Sequence, residues 1–176
     1  TIADISVKEG KNAFYSPKLR KVVLNMEKAC CSGFHEFGHA MNDLMGKSTH
    51  FLQKLRVPCY YVAGFMGTVA LFSRRKPEDA PKNSIDFVQD HCGAIAFASM
   101  LPVVGEEALA SYKGIKLAKQ AGLSDKLLKN LKKLYGKALL TYSGYAILTG
   151  TSVFVASKII EKFTRPKKIP RELLAD

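Results

Sequence analysis

The stretch His35-Glu36-Phe37-Gly38-His39 places two histidines four residues apart with a glutamate between them. Side chains at i and i+4 share one face of a helix, about 5–6 Å apart at Cβ. That spacing lets both imidazoles reach one zinc ion. Glu36, one residue along, is placed to act as general base on a water in the open position. The chain has four histidines, and two of them fall here. The chemistry this pattern offers is zinc-assisted hydrolysis. The long metzincin continuation is absent, since Asn42 stands at its glycine position and Met45 at its third-histidine position. A third ligand must come from elsewhere. The adjacent carboxylates Glu106 and Glu107 are the candidates, because a catalytic zinc takes two His, one Glu and an open position. Without a metal, the same pair reads as a favourable charge at a helix N-terminus.

Several elements must position these residues. Ala13–Tyr15 and Leu19–Asn25 read as the strands of a hairpin, with Ser16-Pro17-Lys18 as its turn and Val22-Val23-Leu24 as its apolar centre. Residues 1–11 are polar and weakly patterned. Asn25 stands where a helix cap belongs, Met26 to Leu44 reads as the motif helix, and Gly46 reads as its C-cap. Ala29, Phe34, Phe37, Met41 and Leu44 give that helix an expected buried stripe.

The distribution of charge says more than its average. The 176 residues are 47% hydrophobic and 24% charged, which excludes a disordered chain, and the length suits one domain or two small ones. Lys plus Arg is 27 against 15 for Asp plus Glu, a formal charge of +12. Mean hydropathy is near zero, at −0.02. Yet Val57 to Ser73, Cys92 to Gly105 and Ala138 to Ser157 contain no charged residue. The third run, of twenty residues, has the length of a membrane-crossing helix; the first two are shorter. Basic clusters separate the runs, as expected of a small membrane protein facing anionic headgroups. The chain therefore divides into 1–56 (hairpin and motif helix), 57–105 (hydrophobic helical hairpin, with Pro58 in its first turn), 106–137 (carboxylate helix and basic amphipathic helix), 138–160 (transmembrane helix) and 161–176 (basic tail). The fold class is mainly α with a short β-hairpin: a zincin-like motif helix with two to three transmembrane or membrane-associated helices.

Asn12-Ala13-Phe14, Val22-Val23-Leu24, the His-Glu-Phe-Gly-His helix and Glu107-Ala-Leu-Ala110-Ser111 together resemble the membrane-embedded gluzincins, the group of CAAX prenyl proteases and heat-shock membrane zinc proteases. The resemblance covers residues 12 to 115 in three islands. It implies His35, His39 and Glu107 as ligands of one Zn2+ per chain, with Glu36 as base. It favours Glu107 over Glu106, because Ala110 follows at the family's spacing; Glu106 is then a neighbouring group or the alternative ligand. Ser111 stands where the family has an aspartate that supports a ligand, and brings a hydroxyl without a charge. Ala13, Phe14 and Tyr15 would form an edge strand to which a peptide or membrane-protein substrate adds as an extra strand. The activity implied is that of a zinc metalloendopeptidase.

Other features carry less. Asp90-His91 is an ionisable pair near one end of the second apolar helix. His50 reads as a solvated face residue, and Cys30, Cys31, Cys59 and Cys92 lack metal spacing. The Lys-rich helix 126–137, with Leu127, Leu128, Leu131 and Leu134 on one face, lacks the interleaved aromatics of a nucleic-acid binder. A headgroup contact is its simpler use, and nucleic acid is not an expected partner. Ser143, Gly144, Gly150 and Ser152 permit close helix packing, internally or with another subunit or copy. The expected location is a bacterial inner or organellar membrane, and the excess of Lys and Arg on the motif side places the site on the cytoplasmic or equivalent face. The rival to a peptidase is a catalytically inactive zincin-derived subunit of a membrane assembly.

Overall fold

The computed structural model describes residues 1–8, 12–25, 29–73, 75–77 and 80–164, with the side chains of 29–31 outside that description. The elements are β1 (Asp4–Lys8), β2 (Phe14–Ser16), β3 (Lys21–Asn25), α1 (Ala29–Leu44), α2 (Lys47–Phe72), α3 (Ser84–Gln120) and α4 (Asp125–Thr164). The protein is mainly helical with one small sheet. The boundaries expected near residues 57, 105 and 138 fall inside α2, α3 and α4, which run unbroken from polar into apolar sequence. Pro58 and Pro102 lie within helices rather than at their ends. Two compact units result, Thr1–Cys59 with Leu101–Gly144 and Tyr60–Met100 with Tyr145–Asp176.

In the first unit β2 lies one residue later than expected, β3 begins two residues later, and the hairpin gains a partner. The strand order is β1-β3-β2, with β2 antiparallel and β1 parallel to β3. β3 is central, and its β-branched Val22 and Val23 are both buried. β1 has no legible signal because the sheet does not bury its apolar residues: Ile5 and Val7 are each 52% exposed. Backbone pairing with β3 holds it, helped by a Lys21–Asp4 ion pair. The turn spans Pro17 to Arg20. Arg20 is left-handed at φ 49°, and is fixed by Arg20 N–H donating to Pro17 O (3.3 Å) and Ala3 N–H donating to Arg20 O (2.8 Å).

The motif helix α1 packs differently from its expected stripe. Phe34, Phe37, Met41 and Leu44 are only half-buried, and Phe37, Met41 and Leu44 face an apolar groove of about 640 Å³. The buried face carries Gly38, His39, Ala40 and Asn42 instead. The reason is the close approach of α3. A Cβ on Gly38 would collide with the Ala110 carbonyl, and one on Gly114 would lie 2.5 Å from the Phe34 carbonyl. Asn42 Nδ2 donates to the Glu106 carbonyl at 3.2 Å. Each step of four residues along α1 is thus matched by a step of four back along α3, so the helices run antiparallel. Gly46 is not a left-handed C-cap; its carbonyl accepts the first bond of α2 from His50 N–H at 2.8 Å. Thr49 Oγ1 closes the end of α1 by donating to Asn42 O. Asn25 ends β3, and residues 26–28 lie outside the described set.

α3 ends at a left-handed glycine. Gly122, at φ 78°, allows Leu123 N–H to reach Ala118 O and Gly122 N–H to reach Lys119 O, a Schellman arrangement. Ser124 O then accepts the first bond of α4 from Leu128 N–H. Leu128, Leu131 and Tyr135 pack with Ala118. Leu127 and Leu134, expected on that face, are 52% and 46% exposed, because 128, 131 and 135 share the stripe that meets α3.

In the second unit Met66, Ala70, Cys92, Ala96 and Val153 form the core. Gly93 and Gly150 let α3 and α4 touch, since a Cβ on either would lie 2.6 Å from the Phe154 or the Phe97 Cβ. Gly150 therefore serves internal packing, whereas Gly144 faces open space. Asn83 caps α3 by accepting from Ile85 and Asp86 N–H, while Asp86 accepts from Asn83 N–H.

α2, α3 and α4 are each long and apolar enough to cross a membrane. Their apolar windows are only 22, 39 and 17% buried within the protein, so most of that surface has no protein cover.

Replacing Gly38 by Ala should cost on the order of 3 kcal/mol, because backbone and not a flexible side chain occupies the new methyl's place. Gly136→Ala, where nothing lies within 4 Å, should instead stabilise by about 0.5–1 kcal/mol through helix propensity. Thermal unfolding of both variants in one detergent checks the contrast.

Candidate metal centre

The α1–α3 register delivers the motif histidines to the two carboxylates. His35 Nε2 lies 3.1 Å from Glu107 Oε2 and 3.1 Å from His39 Nε2. His39 Nε2 lies 3.6 Å from Glu107 Oε2. These three atoms form a nearly regular triangle. His39, Glu106 and Glu107 are buried, and His35 is half-buried.

The remaining ring nitrogens are held from behind. His39 Nδ1 is 2.8 Å from Glu106 Oε1, and His35 Nδ1 is 3.2 Å from Ser111 Oγ. A carboxylate only accepts, so His39 carries a proton on Nδ1 toward Glu106, and with an ion in the triangle its Nε2 would present a lone pair. With an ion in the triangle, Ser111 Oγ would accept from His35 Nδ1–H and leave that ring's Nε2 lone pair to the metal in the same way. Glu106, one of two candidate ligands by sequence, thus orients a histidine, while Glu107 joins the triangle. Ser111 holds the other ring through its hydroxyl.

Two uncompensated carboxylates would not survive this burial. Arg56 Nη1 donates to Glu106 Oε2 at 2.7 Å, and its Nη2 lies 2.7 Å from Glu107 Oε1. Asn42 Nδ2 adds a bond to Glu106 Oε1 at 2.9 Å. Glu36 sits beside the triangle. Burial pushes its carboxyl above the ordinary glutamate value, while His39, His35 and the Tyr15 backbone N–H pull it back down. Glu36, Glu106, Glu107 and Arg56 together carry a formal −3 + 1 = −2, the charge that a divalent cation neutralises.

The donor set fits zinc. Ligands about 2.0–2.1 Å from a tetrahedral zinc lie about 3.3 Å from one another. The triangle's edges of 3.1, 3.1 and 3.6 Å bracket that value. Two imidazole nitrogens and a carboxylate oxygen would supply three ligands to one ion, with the outer ring nitrogens held by hydrogen bonds, as metal-ligating histidines require.

Of the edge-strand residues, Phe14 and Tyr15 belong to β2, an outer strand of the sheet, and Ala13 immediately precedes it. Phe14 is 47% exposed, whereas Tyr15 is buried, with its hydroxyl donating to Asp43 Oδ2 at 2.7 Å. Burial and that bond push the Tyr15 hydroxyl far above the usual tyrosine value.

Three residues at the site escaped the sequence reading. Arg56 carries no spacing signal, although two adjacent acids ending a neutral run demand a nearby cation. Asn42 follows His39 by three residues and so shares its face. Tyr135 is buried with its ring centroid 5.3 Å from that of His35; nothing in its local sequence marks it. Asp90 is held by Arg75 and Lys82, and His91 donates from Nδ1 to Phe87 O and stacks on the Phe87 ring. Cys59 and Cys92 are buried free thiols, and the side chains of Cys30 and Cys31 lie outside the described set.

Comparison with protein-family models, with curated proteins and with solved structures returns no match. The site's chemistry must be argued from its own geometry.

Arg56→Leu should destabilise the metal-free protein by about 3–5 kcal/mol, because it strands two buried carboxylates. Chemical denaturation of wild type and variant after chelation measures the difference.

Proposed function

We propose that the protein is a membrane-embedded zinc metallopeptidase of gluzincin type. The observation that carries the reading is the His35–His39–Glu107 triangle, with Glu106 and Ser111 fixing the outer nitrogens of its rings. His35, His39 and Glu107 would hold the ion. Bound there, zinc supplies an acidified water and polarisation of a scissile carbonyl. Glu36 takes a proton from the attacking water and returns it to the leaving amine as the C–N bond breaks. Its raised proton affinity suits that exchange. β2 is an outer strand of the sheet, and its Tyr15 N–H places that strand next to the Glu36 carboxylate. A substrate backbone added to this edge lies extended across the base. The three long apolar helices supply the membrane part of the reading, and the basic clusters supply its contact with anionic headgroups.

The test is zinc content beside activity, on detergent-purified full-length protein. Wild type should carry one zinc per chain, and His39→Ala and Glu107→Ala none. Ser111→Ala should bind zinc at least about tenfold more weakly, as loss of an outer hydrogen bond predicts. Glu36→Gln should keep its zinc and lose peptide hydrolysis. A wild type that takes up no zinc after add-back overturns the metal site. Stoichiometric zinc without hydrolysis of any peptide assigns the chain to the rival class, an inactive subunit with a structural metal.

A further inference from the structure

Beyond the end of β2 the first unit opens a second cleft, of about 520 Å³, between the hairpin turn and the start of α2. Lys18 and Arg20 line it from the turn, and His50 and Lys54 from the helix. Among the described residues lining it, Asp43 alone is acidic. That carboxylate is committed: Oδ2 accepts from the Tyr15 hydroxyl and Oδ1 from His50 Nδ1, at 2.7 and 2.8 Å. Its side chain is only 8% exposed. The cleft therefore presents three cations against one enclosed anion. His50, read from sequence as a solvated face residue, is fixed by Asp43 at Nδ1, which leaves Nε2 as its remaining polar atom. Gln53 Oε1, on the same wall, is buried with no hydrogen-bond partner among the described residues. An amide group so placed accepts or donates according to its flip.

Arg20 adds an independent observation. It occupies a left-handed backbone position, where glycine or asparagine rests without strain. A long cation held at such a site, on the wall of a basic cleft, is strain placed where binding can use it.

We infer that this cleft receives an acidic side chain of the peptide substrate and sets the enzyme's specificity. The inference rests on the peptidase reading above. Continuity with β2 favours a peptide as the carrier of the anion. Tyr15 links the two places, its backbone N–H facing Glu36 and its hydroxyl bound to Asp43 at the cleft. β2 ends at Ser16 and the cleft wall begins at Pro17. An extended substrate along β2 advances about 3.3 Å per residue. Its side chain one to three residues from the bond facing Glu36 then lies over the cations. A carboxylate there gains charge-assisted bonds from Arg20 and Lys54.

The test uses full-length protein in detergent and fluorogenic octapeptides that differ at one position at a time, as Glu, Gln or Lys. Binding is read by anisotropy on the Glu36→Gln variant, and hydrolysis on wild type. At one position Glu should bind about tenfold more tightly than Gln, the scale of one charge-assisted contact, and Lys more weakly still. Arg20→Gly and Lys54→Gln should each reduce that ratio severalfold and leave the Gln peptide's affinity unchanged. Glycine suits the left-handed position and Lys54 is exposed, so both variants keep the fold. Equal affinity for the Glu and Gln peptides at every position, no peptide binding, or a ratio that neither variant moves overturns the inference. Charge-dependent binding without hydrolysis retains the cleft and overturns the peptidase reading. Hydrolysis without charge preference does the reverse. Variants that weaken binding to phosphatidylglycerol nanodiscs alone would make this a lipid-headgroup site and likewise overturn it.

Discussion

Everything at the candidate centre depends on one backbone contact, the antiparallel crossing of α1 and α3. Gly38 lies against Ala110, Phe34 against Gly114, and Asn42 against Glu106. Two glycines let the helix backbones meet at a distance that side chains ordinarily forbid. The histidines and carboxylates flank this seam, so their 3 Å separations are set by main-chain geometry rather than by long, adjustable side chains. Such placement is what a metal or catalytic centre requires, since ligands must be held within a fraction of an ångström.

The second requirement is electrostatic. Glu106 and Glu107 are among the most buried side chains described, and an isolated buried carboxylate is expensive. Arg56, Asn42 and the two imidazoles divide that cost among them. The guanidinium reaches both carboxylates at once, which suits a planar fork and would defeat a lysine. The residual charge of the cluster is still negative. The polar seam is thus ordered before any cation arrives and remains attractive to one.

Much of this was legible in the sequence, and the parts that were not have physical reasons. The histidine spacing announced itself because a helix face is a local property. The three long helices showed as charge-free runs, yet their limits did not, because a helix passes from polar to apolar sequence without a local breaker and Pro58 misled as punctuation. β1 was invisible because it buries too little apolar surface to imprint a pattern. Arg56 and Tyr135 reach His35, His39 and the carboxylates only through tertiary packing. The choice between Glu106 and Glu107 likewise depends on which way α3 is rotated, a quantity that spacing along one helix does not contain.

The unbroken course of α3 has an evolutionary corollary. From its cap at Asn83 to its close at Gly122 the helix offers no loop in which a length change could be absorbed. One residue inserted between Glu107 and Gly114 would turn the carboxylates by about 100° and shift them by about 1.5 Å against the histidines. Substitutions around the seam can be repaired by their neighbours, but an insertion cannot. The count of residues in this segment therefore constrains the site more tightly than the identity of those between the ligands.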